Sequence, residues 1–167
     1  PFHFLLEDIV HFDSDIDQAL SRIASANRTC SVFIGIGSHS ENKFKAVEYS
    51  HQTVNIYNDH NYPVYEAHPR MDSLVYINKH TQPSTIPCYT NLLQKYYGQL
   101  DPVTTLRYVT ALGETGDMHV AITDFDNGLF YVSNAAPVTA NGTVVKAYDR
   151  QFIRLNLTDM WSHPAPS

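Results

Sequence analysis

The feature that most constrains the fold is a turn sequence in the C-terminal half of the chain. The tripeptide Asp126-Asn127-Gly128 lies between two segments rich in β-branched and aromatic residues, 119–125 and 129–133. Asn and Gly tolerate the left-handed backbone that tight hairpin turns require, and the flanking segments have the composition of strands. The sequence therefore predicts a β-hairpin here, and an antiparallel sheet that contains it.

Further strands are predicted in the N-terminal half, after a helix. Segment 13–26 has apolar residues at helical spacing, and Ser14 with Asp17 three residues later resembles a capping box. Three strands are predicted next, at 31–36, 44–49 and 52–57, with a turn at 37–40. A meander of antiparallel strands is the simplest arrangement of these segments.

The remaining segments add helices, two strands and a long connection. Helices are predicted at 89–97 and from Asp101 to about Leu112, and strands at 74–77 and 144–155. Asp101 is followed by Pro102, the residue pair typical of an N-cap and a first helical position. Between 58 and 88, prolines and histidines interrupt any periodic pattern, and a connection this long is usually functional or packed over other structure. The whole pattern predicts an α+β layered fold.

Composition and charge exclude several classes of protein. Hydrophobic residues make up 43% of the chain and aromatic residues 12%, which is more than a disordered chain carries. The net charge is −6 and the basic residues form no cluster, so no binding to nucleic acid is expected. No apolar run approaches the roughly 20 residues of a membrane-spanning helix, so no membrane span is expected.

Cysteines and glycosylation motifs bear on the compartment. Two cysteines, Cys30 and Cys88, are too few for a disulfide scaffold. They could form one bridge, be two buried thiols or include a reactive one. Acceptor triplets for N-linked glycans begin at Asn27, Asn141 and Asn156, a mild excess over chance. This pattern favours a lysosomal or secreted protein, with coincidence in a cytosolic protein as the alternative.

Some residues could carry chemistry. Strand alternation would place Asp117 and His119 on one face, with Asp124 at the end of the strand. A carboxylate beside an imidazole suits a general base or its support, and a purely structural pair is the alternative. Cys88 and His80 could be a nucleophile and its base, but no motif surrounds them. The histidines show no metal-ligand spacing, so we predict no metal and no cofactor.

Several stretches together resemble one known family. The most specific is 115–121, which reads Thr-Gly-Asp-Met-His-Val-Ala. The supporting stretches are 1–8, the acidic helix with Ala19, 28–31, 46–49, 96–98 and 147–152. Through these residues, most of the chain resembles the acyl-coenzyme A:6-aminopenicillanic acid acyltransferase-like family of N-terminal nucleophile (Ntn) hydrolases. That family is distantly related to acid ceramidase and the choloylglycine hydrolases.

The resemblance implies a four-layer αββα sandwich that hydrolyses or transfers a linear, non-peptide amide bond of a small N-acyl substrate. In that family the nucleophile is a Cys freed by autocatalytic cleavage, and its own α-amino group acts as the base. No residue of this sequence corresponds to that Cys. The resemblance thus implies that residues 1–167 are the C-terminal portion of one Ntn-hydrolase domain, inactive alone and partnered by an N-terminal fragment of the same precursor. A start at Pro1, without Met or signal peptide, agrees with such processing, although a chain can start this way for other reasons.

The resemblance also implies one catalytic residue. Segment 75–83 is similar to the Thr-Asn-x-x-x-x-x-Pro context of the family, which makes Asn78 a side-chain donor to the oxyanion. The Arg that follows in the relatives is not found, since 86–88 reads Ile-Pro-Cys. An Asn that caps a turn after a strand is the alternative. For the whole protein, the alternatives are a catalytically inactive lysosomal or secreted binding protein of the same fold, and an unrelated secreted α+β domain.

Overall fold

A computed structural model describes residues 2–77, 87–137 and 142–164. The chain divides into two compact units, Pro1–Thr85 and Ile86–Ser167. Each unit contains helices and one three-stranded antiparallel sheet, which gives five α-helices and six strands in the described ranges. The predicted α+β class is therefore confirmed.

The N-terminal unit begins with two helices and continues with a three-stranded meander. Its elements are α1 (Phe2–Phe12), α2 (Ile16–Ser25), β1 (Val32–Ser38), β2 (Lys43–Tyr49) and β3 (Val54–Tyr57). Strand β2 is central, and its Val47 pairs with Ile34 of β1 and Ile56 of β3. The predicted meander is confirmed, but the turn is displaced, because Gly37 and Ser38 continue β1 and residues 39–42 form the turn.

One face of this sheet packs against the helices. The buried cluster consists of Leu5, Ile16, Ala19 and Ile23 from the helices and Ile34, Ile36, Val47 and Tyr49 from the strands. Ile23 and Val47 are fully buried. Alternate strand residues thus meet the apolar stripe of each helix, and the removal of this apolar surface from water stabilises the unit.

The N-terminal end of α2 is capped one residue later than predicted. Asp15, not Ser14, is the N-cap, and its carboxylate accepts a hydrogen bond from the backbone N–H of Gln18 at 2.8 Å. Glu41, from the β1–β2 turn, accepts from the N–H of Ile16 at 2.8 Å. Carboxylates satisfy two of the unpaired N–H groups and also suit the positive end of the helix dipole.

Basic side chains stabilise the other end of α2. The Arg28 guanidinium donates to the carbonyl of Ala24 at 2.8 Å and to the carbonyl of Ser50 at 2.8 Å, so it ties the helix end to the loop after β2. Arg22 forms a two-pronged ion pair with Asp13, and this hydrogen bonding lowers the pKa of the Asp13 carboxyl. Arg28, the first residue of the stretch 28–31, therefore has a structural role in this unit.

Helix α1 is absent from the sequence prediction. Leu5 is buried and Ile9 packs beside it, as a helical stripe requires. The pattern is concealed because apolar residues also lie on the outer side, where Phe4 and Phe12 are 64% and 69% exposed. A helix that is apolar on both sides has no clear amphipathic period.

The strand predicted at 74–77 does not form. In the described part of this connection, two isolated antiparallel bridges are the only sheet-like pairings, Tyr65 with His68 and Met71 with Leu74. Ser73 adopts a positive φ of 58°, which turns the chain back between the two partners of the second bridge. After this bridge the chain packs through side chains such as Tyr76 and does not pair as a strand.

The C-terminal unit contains the predicted hairpin. Its elements are α3 (Cys88–Lys95), α4 (Pro102–Thr104) with a π-helical continuation (Thr105–Thr110), β4 (His119–Asp124), β5 (Leu129–Asn134), a 3-10 turn (Ala147–Asp149), β6 (Ile153–Asn156) and α5 (Leu157–Ser162). The hairpin of β4 and β5 is confirmed. Gly128 supplies the positive φ of 61°, and the Asp124 carboxylate accepts from the N–H of Asn127 at 3.1 Å.

Two other predictions for this unit are partly correct. Asp101 caps the helix as predicted and accepts from the N–H of Thr104 at 2.6 Å, but the helix widens into the π form and ends at Thr110 instead of Leu112. The strand predicted at 144–155 is confined to β6. The reason is that the N–H of Ala147 donates to the carbonyl of Asp117 at 3.0 Å, which commits this segment to a turn.

Each sheet packs one face against its buried cluster, and we call the opposite face its open face. On the N-terminal sheet, the open face carries the strand residues that alternate with the buried cluster, namely Phe33, Gly35, Gly37, Phe44, Ala46, Glu48, Asn55 and Tyr57. On the C-terminal sheet, Val120 packs inward with Leu106 and Ala147. The alternating residues of its open face are His119, Ala121, Thr123, Phe130, Val132, Asn134, Ile153 and Leu155. Among the described residues, no helix has both the length and the apolar character to cross a bilayer.

Candidate functional site

The predicted oxyanion residue Asn78 lies outside the described residues, which end at Ile77 in this part of the chain. The chain just before it is firmly held. Tyr76 is buried, its backbone carbonyl lies 2.9 Å from Nε2 of His68, and its hydroxyl donates to the carbonyl of Pro69 at 2.9 Å. Side-chain packing therefore holds the chain at Tyr76.

Four rings of the long connection form an aromatic cluster, defined as Tyr62, Tyr65, His68 and Tyr76. The His68 and Tyr76 rings are 4.0 Å apart, and Tyr62 meets Tyr76 edge-on at 5.9 Å. Tyr62 is almost fully buried, and burial raises the pKa of its hydroxyl. Arg70 lies over the Tyr62 ring and donates to its backbone carbonyl. The Pro- and His-rich segment thus packs around its own aromatic core, and His68 is a packed histidine.

Asp117 lies before β4, so strand alternation does not relate it to His119. Its carboxylate accepts a hydrogen bond from the Lys146 ammonium, which raises the pKa of Lys146. Its carbonyl accepts from Ala147, so Asp117 fastens segment 146–147 to the start of the strand. In front of it, Gly116 has a φ of +90°, and a Cβ there would lie 2.2 Å from Cγ2 of Val120. Gly116 and Asp117 belong to stretch 115–121, the most specific part of the resemblance. Both residues have a structural role there.

The other two ionisable residues of that strand are placed apart from Asp117. His119 is exposed, begins β4 and pairs with Asn134 of β5. Asp124 ends β4 and orders the hairpin turn through both of its oxygens, which accept from the backbone and side-chain N–H groups of Asn127. The structure therefore gives Asp117 and Asp124 backbone-organising contacts, and it does not bring the three ionisable groups into one site. A supporting role for Asp117 and His119 in catalysis stays a prediction.

The two cysteines have different surroundings, and the described side chains can also be searched for metal ligands. Cys30 and Cys88 are both free thiols, the first half-buried and the second exposed. Cys88 is the first residue of α3, whereas its predicted partner His80 lies outside the described residues. In the ranges that the structure covers, no three His, Cys, Asp or Glu side chains converge as a metal site would require.

The three glycan acceptors differ in their surroundings. Asn27 is exposed in the loop between α2 and β1. Asn156 is also exposed, but it is the N-cap of α5, and its side-chain oxygen accepts from the N–H of Asp159 at 3.1 Å. Asn141 lies outside the described residues. A glycan is attached to the side-chain nitrogen, so the cap at Asn156 and a glycan use different atoms.

Sequence reasoning missed a polar group on the open face of the N-terminal sheet. Oε2 of Glu48 accepts two hydrogen bonds, from the Tyr57 hydroxyl at 2.7 Å and from Nδ2 of Asn55 at 2.8 Å. Burial, together with the adjacent Glu48 carboxylate, raises the pKa of Tyr57 to about 12, so its hydroxyl remains a donor at neutral pH. The strand pattern places these residues on one face, but it does not reveal that they share one oxygen.

Comparison with known proteins gives two similar sequences. The chain is 45% identical to Protein dcd1A of Dictyostelium discoideum over 172 residues, an alignment that covers 97% of this chain and 39% of that protein. It is 37% identical to Protein dcd1B of the same organism over 179 residues, covering 99% of this chain and 35% of that protein. The chain thus spans less than two fifths of the length of these relatives. No protein-family model and no solved structure matches the chain.

Proposed function

We propose that this chain is the C-terminal portion of an amidohydrolase or acyltransferase that acts on linear, non-peptide C–N amide bonds. Its nucleophile is the N-terminal Cys of another segment of the same polypeptide, and its substrate is a small N-acyl compound. The observation that carries the proposal is the apolar open face of the C-terminal sheet. The similarity to much longer relatives supports it.

An αββα sandwich requires a sheet face of this kind, which another sheet can cover. In that architecture a sheet has helices on one side and another sheet on the other side. On the C-terminal sheet, Val120 packs inward against the buried cluster, and Ala121, Val132 and Ile153 form an apolar row across the opposite, open face. An apolar face of this kind gains stability when another layer covers it. We propose that the four-layer sandwich is completed by segments outside this sequence.

The proposed chemistry needs a nucleophile and an oxyanion donor. Attack of a thiolate on an amide carbonyl places a negative charge on the oxygen, and a fixed amide N–H₂ group stabilises that charge without transferring a proton. In this proposal Asn78 is that donor.

The test is turnover of a fluorogenic N-acyl aminocoumarin by the complete polypeptide. Asn78→Ala should lower kcat by about 10²-fold, the usual loss for one oxyanion donor, with little change in ground-state binding. Asn78→Asp should be at least as harmful, because it sets a carboxylate against the oxyanion. Asn91→Ala, at an exposed position of α3, is the matched control and should leave kcat unchanged.

Iodoacetamide labelling identifies the nucleophile in the same experiment. Loss of turnover should accompany modification of a Cys other than Cys30 and Cys88. A complete polypeptide that binds N-acyl compounds but never turns them over would instead support the inactive binding protein. Full turnover by Asn78→Asp would remove this residue from the site.

The lysosomal or secreted location is proposed together with this activity, and glycans on Asn27, Asn141 or Asn156 test it. Material from a secretory host should increase in gel mobility after treatment with a glycan-removing amidase. Thr158→Ala removes the acceptor motif at Asn156 and leaves the helix cap in place, so it separates loss of a glycan from loss of the cap. Thr29→Ala and Thr143→Ala serve in the same way for Asn27 and Asn141. Wild-type protein whose mobility is the same before and after the amidase, and the same as that of all three variants, would contradict the location.

A further inference from the structure

Glu48 carries a carboxylate that is fixed through one oxygen and open at the other. Oε2 is held by the Tyr57 hydroxyl and the Asn55 amide, at 2.7 and 2.8 Å. Among the described residues, no donor is bonded to Oε1. Two donors on one oxygen orient the carboxylate, so the second oxygen points in a defined direction and keeps its capacity to accept.

The described strand residues that share a face with Glu48 provide no positive charge. The eight strand residues of the N-terminal open face include no Lys, Arg or His. Lys43 and Lys45 alternate with Phe44 and so belong to the opposite side of β2. A partly buried carboxylate without a basic neighbour favours a cationic ligand.

Aromatic residues lie beside the charge. Phe33 is directly opposite Glu48 in the β1–β2 register, where side chains of a pair lie close together. Tyr57 contacts the carboxylate itself, and Tyr65 lies near enough to Tyr57 to contribute to its raised pKa. The Phe44 ring lies over Gly35 on the same face.

We propose that the Glu48 carboxylate and its aromatic surroundings bind a primary alkylammonium group. The ammonium donates to Oε1, and its alkyl chain and positive charge lie against the rings, a combination that aromatic faces favour. A divalent metal ion would need several more oxygen ligands than one carboxylate supplies. This inference does not depend on the proposed amidase function.

The experiment is an NMR titration of the 167-residue chain with n-butylammonium chloride at constant ionic strength. Saturable shifts are expected for the Asn55 side-chain amide and for backbone amides of β2 and β3, with a dissociation constant of about 10 mM for one charged hydrogen bond and one ring contact. Glu48→Gln keeps the shape and removes the charge, and it should weaken binding at least about tenfold. Glu66→Gln, at an exposed glutamate of the same unit, is the matched control and should bind as the wild type does.

Sodium butyrate provides a control that needs no variant. It has the same alkyl chain with an anionic head group, so it should give no saturable shift at Asn55. If Glu48→Gln does not fold, the contrast between butylammonium and butyrate on the wild-type chain decides the question. Equal shifts with both compounds, shifts in Glu48→Gln equal to those of the wild type, or no saturable shift at all would overturn the proposal.

Discussion

The two open sheet faces are alike in topology and opposite in character. Both belong to three-stranded antiparallel sheets with helices on the other side. The N-terminal face presents an oriented carboxylate among small and aromatic residues, with Glu48, Asn55 and Tyr57 joined by hydrogen bonds. The C-terminal face presents the apolar row of Ala121, Val132 and Ile153, and Ile153 is 63% exposed.

The two faces therefore suit different roles: one suits binding of a small ligand, and the other suits packing against another polypeptide layer. A row of apolar side chains has no directional group with which to select a small ligand, but it gains free energy when another polypeptide layer excludes water from it. An oriented carboxylate has the opposite properties, because its burial under an apolar layer would be costly, whereas a cation pairs with it. The proposals made above accordingly place a ligand on the N-terminal face and another layer of polypeptide on the C-terminal face.

The largest effect is expected from Gly116→Ala, which disturbs the start of β4 and with it the C-terminal face. A Cβ at this position would overlap Val120, and the backbone φ of +90° is unfavourable for any residue with a side chain. Together these costs should lower the free energy of unfolding by about 2–4 kcal/mol. Urea denaturation of the variant and the wild type measures this difference.

Gly98→Ala is the control for backbone strain alone. Gly98 has a φ of +77°, but a Cβ added there would meet no atom of the described residues within 4 Å. Its cost should be confined to about 1–2 kcal/mol. If both variants lose the same free energy of unfolding, the Val120 side chain can move aside at little cost. Gly116 would then not fix the start of β4.

A smaller effect is expected from Tyr57→Phe on the N-terminal face, and it depends on pH. The pKa of Tyr57 is about 12 in the folded chain, above the ordinary value of 10 that applies to the unfolded chain. The folded state therefore retains its proton longer, so the stabilising contribution is complete below pH 10 and is lost as the pH rises from 10 to 12.

The free energy of unfolding, measured from pH 9 to about 11.5, tests this contribution. The wild type should lose stability faster than Tyr57→Phe above pH 10. Tyr49 and Tyr62, whose pKa values are also raised, are present in both proteins, so their contributions cancel in the difference. Parallel curves would contradict the raised pKa of Tyr57, which burial and then the Glu48 carboxylate cause.

The smallest effect is expected from the ion pair of Asp117 and Lys146 beside the C-terminal face. Both side chains are 40% or more exposed, so solvent screens the pair. Asp117→Asn and Lys146→Met should each lower Tm slightly, and the double variant should lower it no further than either single variant. Additive losses in this cycle would mean that the two side chains do not interact.

Sequence patterns predicted the elements that local chemistry determines. The hairpin followed from Asp126-Asn127-Gly128, and the Asp101–Pro102 start of α4 followed from capping preferences. Each depends on residues within a few positions of one another.

The features that were missed depend on contacts between distant residues. Segment 144–155 forms little strand, because Ala147 is held by Asp117, thirty positions earlier. The Pro- and His-rich connection reads as irregular, yet Tyr62, His68 and Tyr76 pack into one cluster. The same reason explains why the shared oxygen of Glu48 was not predicted, since a strand pattern gives the face of a side chain but not its hydrogen-bond partner.

The central claim is that another layer of the same polypeptide covers the C-terminal open face. The most direct measurement is the rate of maleimide labelling of Ile153→Cys, in a background where Cys30 and Cys88 are replaced by Ser. In the 167-residue chain, the thiol should react at the rate of an exposed side chain. In the longer polypeptide that the proposal requires, labelling should be slower by about 100-fold or more, because reaction then awaits local opening. Equally fast labelling in both would contradict the claim.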